Sequence, residues 1–266
     1  MKLWILGSGT LRPHRDHGSP GFWVEAGNEF ILLDCGSGTL QTVERLGLPW
    51  QKVNQIVVSH FHTDHVADLG PFLFALRHGV EPPRVRALRI LGPRGLSAHL
   101  TALAEAFGGF ILEPGFPLEV TEMRPGEDWS PPGGVFTLRG RATPHTESSL
   151  AFRFESEEGA LGYTGDTGPD EGLGSFFQGC DILVAECSNP DDSQAPNHLT
   201  PGALAEIAER AKPRLLISVH AYPPLDPLAV PDLVRGAGYL GRVLAGRDGV
   251  SVTWDRKGMI VRDPHD

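Results

Sequence analysis

The chain has few cysteines, and they form no disulfide pattern. Only three occur in 266 residues, at Cys35, Cys180 and Cys187, an odd number without a close pair. Small secreted domains that depend on disulfides carry many cysteines at short spacings, whereas free thiols are typical of reducing compartments. We therefore predict a cytoplasmic protein.

Long apolar runs are also missing. Hydrophobic residues make up 40% of the chain, but no run approaches the roughly 20 apolar positions of a membrane-spanning helix. Residues 1–7 are too short a stretch for a signal peptide. We expect a soluble globular protein with no membrane partner. A length of 266 residues allows one large α/β domain or two smaller ones.

No dense cluster of lysine or arginine is present, and the formal net charge is -10. Proteins that bind nucleic acid along its length need a basic face to neutralise phosphates. The composition therefore disfavours extended nucleic-acid binding. Bound divalent cations are not part of this charge, and they would make a cleft locally positive. A small anionic substrate remains compatible with the sequence.

What the sequence does contain is a dense group of metal-binding residue types at positions 59–65, Ser-His-Phe-His-Thr-Asp-His. An apolar run at 55–58 predicts a buried strand before it, and a helix-like pattern follows. If strand geometry continues, His60, His62 and Asp64 share one side, and His65 opens the next turn. So many titratable groups would be poorly satisfied without a cation. The donors can reach two metal ions, and they suit zinc as well as manganese, iron, cobalt or nickel.

Two features of the first half have alternative interpretations. The loop at 11–20 contains His14, Asp16 and His17, which resemble a second metal cluster. A loop this rich in Arg, Gly and Pro is too flexible to hold metal ligands rigidly, so we favour a solvated or substrate-facing loop. Asp34 ends a strand predicted at 29–33 and precedes a glycine-rich turn. It is either a helix cap or a partner that orients a metal-binding histidine.

The rest of the chain alternates helix and strand patterns. We predict helices at 66–78, 97–107 and Pro201–Ala211, where Thr200 and Pro201 suit a helix start. The run Pro-Pro-Gly-Gly at 131–134 is the predicted boundary between two halves. Residues 223–266 form an extension with a terminal hairpin, which shapes either the pocket or a homodimer contact.

Three further donors follow predicted strands in the second half: His145, Asp166 and His220. Each alone could be a turn or capping residue. Functional groups of open α/β sheets collect beyond the carboxyl ends of strands, however, and all three lie at such positions. We therefore expect them to join the first cluster.

The motif His60-x-His62-x-Asp64-His65, followed by His145, Asp166 in a Gly-Asp-Thr turn and His220, resembles the metallo-β-lactamase superfamily. The resemblance implies an α/β (α+β) protein with a four-layer αβ/βα sandwich, built as a single domain over residues 1–266. It assigns His60, His62 and His145 to one metal, Asp64, His65 and His220 to the other, and Asp166 to both. Two divalent metal ions, zinc first and manganese or iron as alternatives, would share a bridging hydroxide that attacks the substrate.

The turn at 34–40 and the sequence Asn197-His198-Leu199-Thr200 resemble the ribonuclease Z and phosphodiesterase branch. The resemblance implies that His198 is a general acid or an electrostatic stabiliser, and that Asp64 holds or accepts the proton of the nucleophile. The branch's tRNA-binding arm has no room here, because only twenty residues separate His145 from Asp166.

These observations predict a metal-dependent hydrolase, first of all a phosphodiesterase for a small or cyclic phosphodiester. An RNA 3′-processing nuclease, a lactonase or thioesterase, and a non-catalytic metal-binding interaction module are the alternatives.

Overall fold

Two β-sheets form the centre of the computed structural model, which describes residues 1–265. The strands, in chain order, are β1 (Lys2–Gly7), β2 (Gly21–Ala26), β3 (Glu29–Cys35), β4 (Gln55–Val57), β5 (Leu88–Pro93), β6 (Leu118–Met123), β7 (Asp128–Trp129), β8 (Thr137–Ala142), β9 (Leu150–Glu155), β10 (Ala160–Tyr163), β11 (Ile182–Glu186), β12 (Leu215–Val219), β13 (Val243–Ala245), β14 (Ser251–Trp254) and β15 (Met259–Arg262).

Helices cover the outer faces of the sheets. They are α1 (Thr39–Arg45), α2 (Thr63–Val66), α3 (Leu69–His78), α4 (Leu96–Phe107), α5 (Glu171–Phe176), α6 (Pro201–Ala211) and α7 (Val230–Gly236), with short 3-10 turns at Trp50–Lys52 and Gly109–Ile111. Within residues 1–265, none of these helices has both the length and the hydropathy of a membrane span.

Both sheets are mixed. The first has the order β15-β14-β1-β2-β3-β4-β5-β6, and its strands are parallel from β3 to β6. The second has the order β13-β12-β11-β10-β9-β8-β7, and its strands are parallel from β10 to β13. Strands β8, β10, β11 and β12 therefore point the same way, since β9 is antiparallel to both β8 and β10.

Three apolar clusters place these elements in four layers. One lies between the sheets and joins residues such as Leu3 and Ile5 of the first sheet to Phe152 and Ile217 of the second. The second packs α1, α3 and α4 on the outside of the first sheet. The third packs α5, α6 and α7 on the outside of the second. The predicted mixed α/β, four-layer αβ/βα sandwich is confirmed.

Local sequence signals account for several boundaries. Gly27 has φ +56°, which the tight connection between β2 and β3 requires and which glycine adopts without strain. Helix α6 begins with Pro201, and the Thr200 hydroxyl accepts a hydrogen bond from the Ala203 amide at 3.4 Å. Proline at this first position needs no amide donor, and the threonine satisfies one that the helix start leaves free.

Long-range contacts changed two of the predicted elements. The helix predicted at 66–78 is divided, because the Asp68 amide donates to the Cys35 carbonyl and the Asp68 carboxylate accepts from the Leu40 amide. The extension at 223–266 supplies β13 to the second sheet and β14 and β15 to the first. The chain passes from the first sheet to the second between Met123 and Asp128, shortly before 131–134.

Candidate metal centre and active site

The histidine cluster of the first half lies on an irregular segment followed by one helical turn. Strand β4 ends at Val57, and α2 begins at Thr63 with His62 as its extended N-cap residue. The prediction that His60, His62 and Asp64 alternate along a continuing strand is therefore wrong. Helix geometry instead turns Asp64 and His65 inward, where both are buried, and leaves His62 exposed at the cleft mouth.

The donors of the second half reach the same place from strand ends. His145 follows β8, Asp166 follows β10, and His220 follows β12 directly. These strands run in one direction, so their carboxyl ends share an edge of the second sheet. The structure thus brings the seven predicted metal-binding side chains together across the edge between the two sheets.

The seven side chains form two groups, with one donor atom from each residue, and a third group that overlaps both consists of Asp166, His198 and His220. The first group has its donor atoms within 4.8 Å of one another and consists of His60, His62, His145 and Asp166; Asp64, His65 and His220 form the second at the same limit. His145 Nε2 lies 3.0 Å from His62 Nδ1, and His220 Nε2 lies 3.4 Å from Asp64 Oδ2.

Asp166 adjoins both groups. Its Oδ2 atom lies 3.6 Å from His145 Nε2 and 3.8 Å from His60 Nε2 in the first group. The same oxygen is 3.4 Å from His220 Nε2, and Oδ1 is 3.3 Å from His65 Nε2. The Asp166 carboxylate is therefore within reach of donors from both groups.

The centre contains buried polar atoms without hydrogen-bond partners in the described chain. They include His60 Nε2, and also His65 Nε2 and Asp166 Oδ1, which lie 3.3 Å apart without hydrogen-bond geometry. Leaving such an atom unsatisfied costs about 1–3 kcal/mol. Imidazole nitrogens and carboxylate oxygens are ligands of divalent first-row cations. The residues present therefore fit divalent metal ions.

The protonation states of four donor residues also bear on metal binding. Burial, and then neighbouring histidines, lower the pKa of His60 and His62, so that both rings are neutral at pH 7. Burial raises the pKa of Asp64 and Asp166, but contacts with His220 and His65 outweigh burial and lower both values. Metal ligands must be deprotonated, so these four groups are ready to bind a cation, whereas a cation at His65, whose pKa is raised, must displace a proton.

His65 is held by a buried carboxylate. Burial lowers the pKa of His65, but the charges of Asp166 and Asp34 outweigh it and raise the pKa well above its ordinary value. Asp34 Oδ2 lies 2.7 Å from His65 Nδ1 and also accepts from the hydroxyls of Ser59 and Tyr163. This contact leaves His65 Nε2 directed into the cluster.

Of the two roles considered for Asp34, the structure supports orientation of a histidine. Helix α1 has Gly38 as its N-cap residue and no side-chain cap. Asp34 is fully buried and has φ +52°, a conformation that costs energy outside glycine. Its four hydrogen bonds to Ser59, His65 and Tyr163 hold it there.

Other histidines of the centre are fixed through the nitrogen that faces away from it. His60 Nδ1 contacts the Ser59 hydroxyl at 3.0 Å, and His145 Nδ1 contacts the Asn197 carbonyl at 3.0 Å. His220 Nδ1 contacts the Ser188 hydroxyl at 3.0 Å. Such partners fix ring orientation and tautomer in metal sites.

His198 lies beside the centre and contacts a carboxylate that sequence reasoning missed. Its Nδ1 atom is 2.9 Å from Glu186 Oε1, and its ring centroid is 4.8 Å from that of His145. Burial lowers the pKa of His198, but the hydrogen bond and charge of Glu186 outweigh it, so the pKa is raised. Glu186 also accepts from the Thr167 amide at 2.6 Å and the Ser188 hydroxyl at 2.5 Å.

A sequence signal for Glu186 did exist. Glu186 is the last residue of the apolar strand β11, and other donors of the cluster also follow the carboxyl ends of strands. The structure shows that Glu186 is 1% exposed. A buried acid at such a strand end needs several donors to satisfy it. The 11–20 loop is arranged differently from the donor cluster. Arg15 pairs with Asp16, and His17 Nδ1 contacts the Ser8 hydroxyl.

Two facing mixed sheets with helices outside form an αβ/βα sandwich, and the His/Asp cluster at one edge can hold divalent metal ions. The β-lactamase superfamily domain matches residues 29–221, which include every residue of the cluster. The chain belongs to this family and is a metal-dependent hydrolase similar to ribonuclease Z.

Individual relatives agree with this assignment. Ribonuclease Z of Mycobacterium bovis (strain BCG / Pasteur 1173P2) is 29% identical over 251 residues, covering 85% of this chain and 88% of that protein. The metallo-β-lactamase fold protein YhfI from Bacillus subtilis superposes with a TM-score of 0.80 at 22% identity, covering 94% of this chain and 98% of YhfI. The short form of human tRNase Z superposes with a TM-score of 0.74 at 20% identity, covering 96% and 98%.

Proposed function

We propose that the chain is a dinuclear metal-dependent phosphodiesterase that acts on small or cyclic phosphodiesters. The observation that carries the proposal is the position of Asp166 between two groups of buried donors. In this proposal His60, His62 and His145 hold one zinc ion, Asp64, His65 and His220 hold the other, and Asp166 contacts both. We also propose that residues 1–266 form one domain, since the donors of both ions come from both sheets.

When bound, the two cations lower the pKa of a water molecule and neutralise the charge of the phosphate. In this proposal two side chains carry out the proton transfers. Asp64, whose Oδ2 faces the centre, holds the proton of the attacking water or accepts it. His198, whose pKa is raised by Glu186, gives a proton to the leaving oxygen or stabilises its negative charge.

Three features support a small substrate. The cleft mouth next to His62 and Asp64 is a cavity of about 450 Å³, within the range of small-molecule sites. The twenty residues between His145 and Asp166 consist of β9, β10 and short turns, without an arm. The net charge of -10 opposes binding along a polyanion.

RNA 3′-end processing is the second candidate, because relatives such as that of Mycobacterium bovis carry the name ribonuclease Z. An RNA end could enter the same mouth without a long binding surface. This candidate requires that a precursor tRNA be cleaved at least as efficiently as a small diester.

The test is a comparison of kcat/KM for the zinc- and manganese-loaded protein. Substrates are bis(p-nitrophenyl) phosphate, a cyclic nucleotide, a precursor tRNA with a 3′ trailer, and a panel of lactones and thioesters. We expect the small diesters to be the best substrates. Phosphodiester inactivity with rapid lactone hydrolysis would overturn the proposal, and preferred cleavage of the precursor tRNA would favour the nuclease.

A further inference from the structure

A second cavity begins one residue beyond His220. Its volume is about 250 Å³, and Ser8 and Gly9 line both this cavity and the small space beside His65 and Asp166. The His220 amide donates to the Ser8 carbonyl at 2.8 Å, which fixes the two regions against each other. The cavity and the centre are therefore neighbours that share Ser8 and Gly9 as a common wall.

The cavity has two chemically different walls. One is the proline wall, formed by Ala221, Pro223, Leu225 and Pro227. Proline rings and a leucine side chain present an apolar surface, and fixed φ angles make a proline-rich segment stiff. The opposite wall comes from the 11–20 loop and carries Arg12, His14 and His17.

Arg12 gives the loop wall a positive charge, and its guanidinium has no partner in residues 1–265. In residues 1–265 no hydrogen bond or ion pair of the Arg12 guanidinium is seen, whereas Arg15 on the same loop contacts Asp16 at 2.9 Å. None of the residues that line the cavity is acidic, although the chain carries 33 acidic residues. An unpaired guanidinium at a concave surface is well suited to a phosphate.

The loop wall is held in place by Asp248. Its Oδ1 accepts from the amide and hydroxyl of Ser8, and its Oδ2 accepts from the Gly18 amide at 2.7 Å. Gly7 allows the chain to close here, since a Cβ atom on it would lie 1.8 Å from the Ser19 carbonyl oxygen. The cavity is thus formed before a ligand arrives, which lowers the entropic cost of binding.

We propose that this cavity is a subsite for one nucleotide of the substrate, with the base against the proline wall and a phosphate other than the reacting one on Arg12. The proposal rests on the proposed phosphodiesterase function. A volume of about 250 Å³ is below the range of drug-sized pockets, so it suits a single base with its sugar. Planar rings bury apolar area against proline and leucine, and the guanidinium adds a charged contact.

The first test measures binding by calorimetry with the zinc-loaded protein. The probes are thymidine 3′,5′-bisphosphate, which can place one phosphate at the metals and one at Arg12, and methyl phosphate, which reaches the metals alone. We expect the bisphosphate to bind at least tenfold more tightly. Arg12→Ala should weaken binding of the bisphosphate about tenfold and leave the affinity for methyl phosphate unchanged. The control is Arg15→Ala, which alters the same loop outside this cavity and should bind both probes normally.

The second test addresses the base. Pro227→Ala and Leu225→Ala should each weaken binding of thymidine bisphosphate about threefold to tenfold. Neither should change the affinity for 2-deoxyribose 3,5-bisphosphate, which lacks the base. Leu225 is buried, so thermal unfolding must show a folded variant, and the half-buried Pro227 provides the independent change.

Two outcomes would overturn the subsite. One is equal affinity of the unmodified protein for both probes, and the other is an equal loss in Arg12→Ala and Arg15→Ala. Hydrolysis of bis(p-nitrophenyl) phosphate alongside either result would leave the phosphodiesterase proposal intact. Selective loss in Arg12→Ala without any diester hydrolysis would support the nucleotide subsite and overturn the catalytic proposal.

Discussion

Asp34 and His65 are joined by a 2.7 Å contact between carboxylate Oδ2 and ring Nδ1, although they are 31 residues apart. The contact links the end of β3 to α2, the helical turn that follows the neighbouring strand β4. It orients a histidine of the candidate centre, although Asp34 itself is in none of the donor groups. The centre therefore depends on buried residues that surround it as well as on its donors.

The first prediction concerns this contact. Asp34→Asn keeps the shape of the side chain but removes the charge that orients His65, so we expect zinc affinity to fall by about tenfold to a hundredfold. Zinc content after dialysis against a graded chelator measures the effect. Asp16→Asn, on the exposed loop, serves as the control. Equal zinc retention in Asp34→Asn, Asp16→Asn and the unmodified protein would contradict an orienting role.

The second prediction separates metal binding from proton transfer. His145→Ala should lose part of the bound metal, because His145 Nε2 is in the first donor group. His198→Ala should retain both ions, because the proposed ligand sets of both ions are complete without His198, whose Nδ1 is held by Glu186. Metal analysis of the two purified variants measures this difference. Metal loss of the same size in both would place His198 among the ligands.

The third prediction concerns leaving groups. A general acid matters most when the departing oxygen is basic, so His198→Ala should lower kcat about a hundredfold or more for alkyl leaving groups and much less for p-nitrophenolate. Steady-state kinetics with a matched pair of phosphodiesters test this. Equal losses for both substrates would leave His198 only an electrostatic role.

The fourth prediction is a pH effect. The pKa of His198 is raised above its ordinary value because Glu186 favours the charged ring, so the acid form persists to higher pH. Glu186→Gln removes that charge and should lower the pKa of His198. The alkaline limb of kcat for an alkyl diester should then move to lower pH, whereas Glu171→Gln, on an exposed side chain, should not move it. Glu186 also contacts Ser188, which holds His220, so metal analysis must show equal ion content in all three proteins before the limb shift is assigned to Glu186. An unmoved limb would contradict the pairing.

Much of the fold could be predicted from local patterns. Alternating apolar runs, Gly27 in a tight turn and Thr200 with Pro201 at a helix start are signals within a few residues of the structure they predict. The division between α2 and α3 could not be predicted this way, since the Asp68 amide bonds to the Cys35 carbonyl of a distant strand. Periodicity contains no information about such partners.

Local sequence patterns also leave the long-range contacts of the candidate site unpredicted. Donor residues could be found from residue type and position after strands, but the turn that places Asp64 and His65 depends on where β4 ends. Glu186 was missed because its role lies in its contacts with Thr167, Ser188 and His198, which come together only in the folded chain. Its position at the end of β11 was visible, but a strand end alone does not distinguish a positioning acid from a capping residue.

The fifth prediction concerns metal removal. Without cations, His60 Nε2, His65 Nε2 and Asp166 Oδ1 stay buried and unpaired in the described structure. An ion that binds only the folded state stabilises it by RT ln(1 + [L]/Kd), about 2.7 kcal/mol at one hundred times Kd. For a chain of this size that corresponds to a fall of about 5–10 °C in the unfolding midpoint after chelation. Calorimetric scans before chelation, after it and after zinc is restored test the prediction, with His145→Ala expected to show a smaller change. An unchanged midpoint together with no hydrolysis of any substrate would instead favour a non-catalytic interaction module.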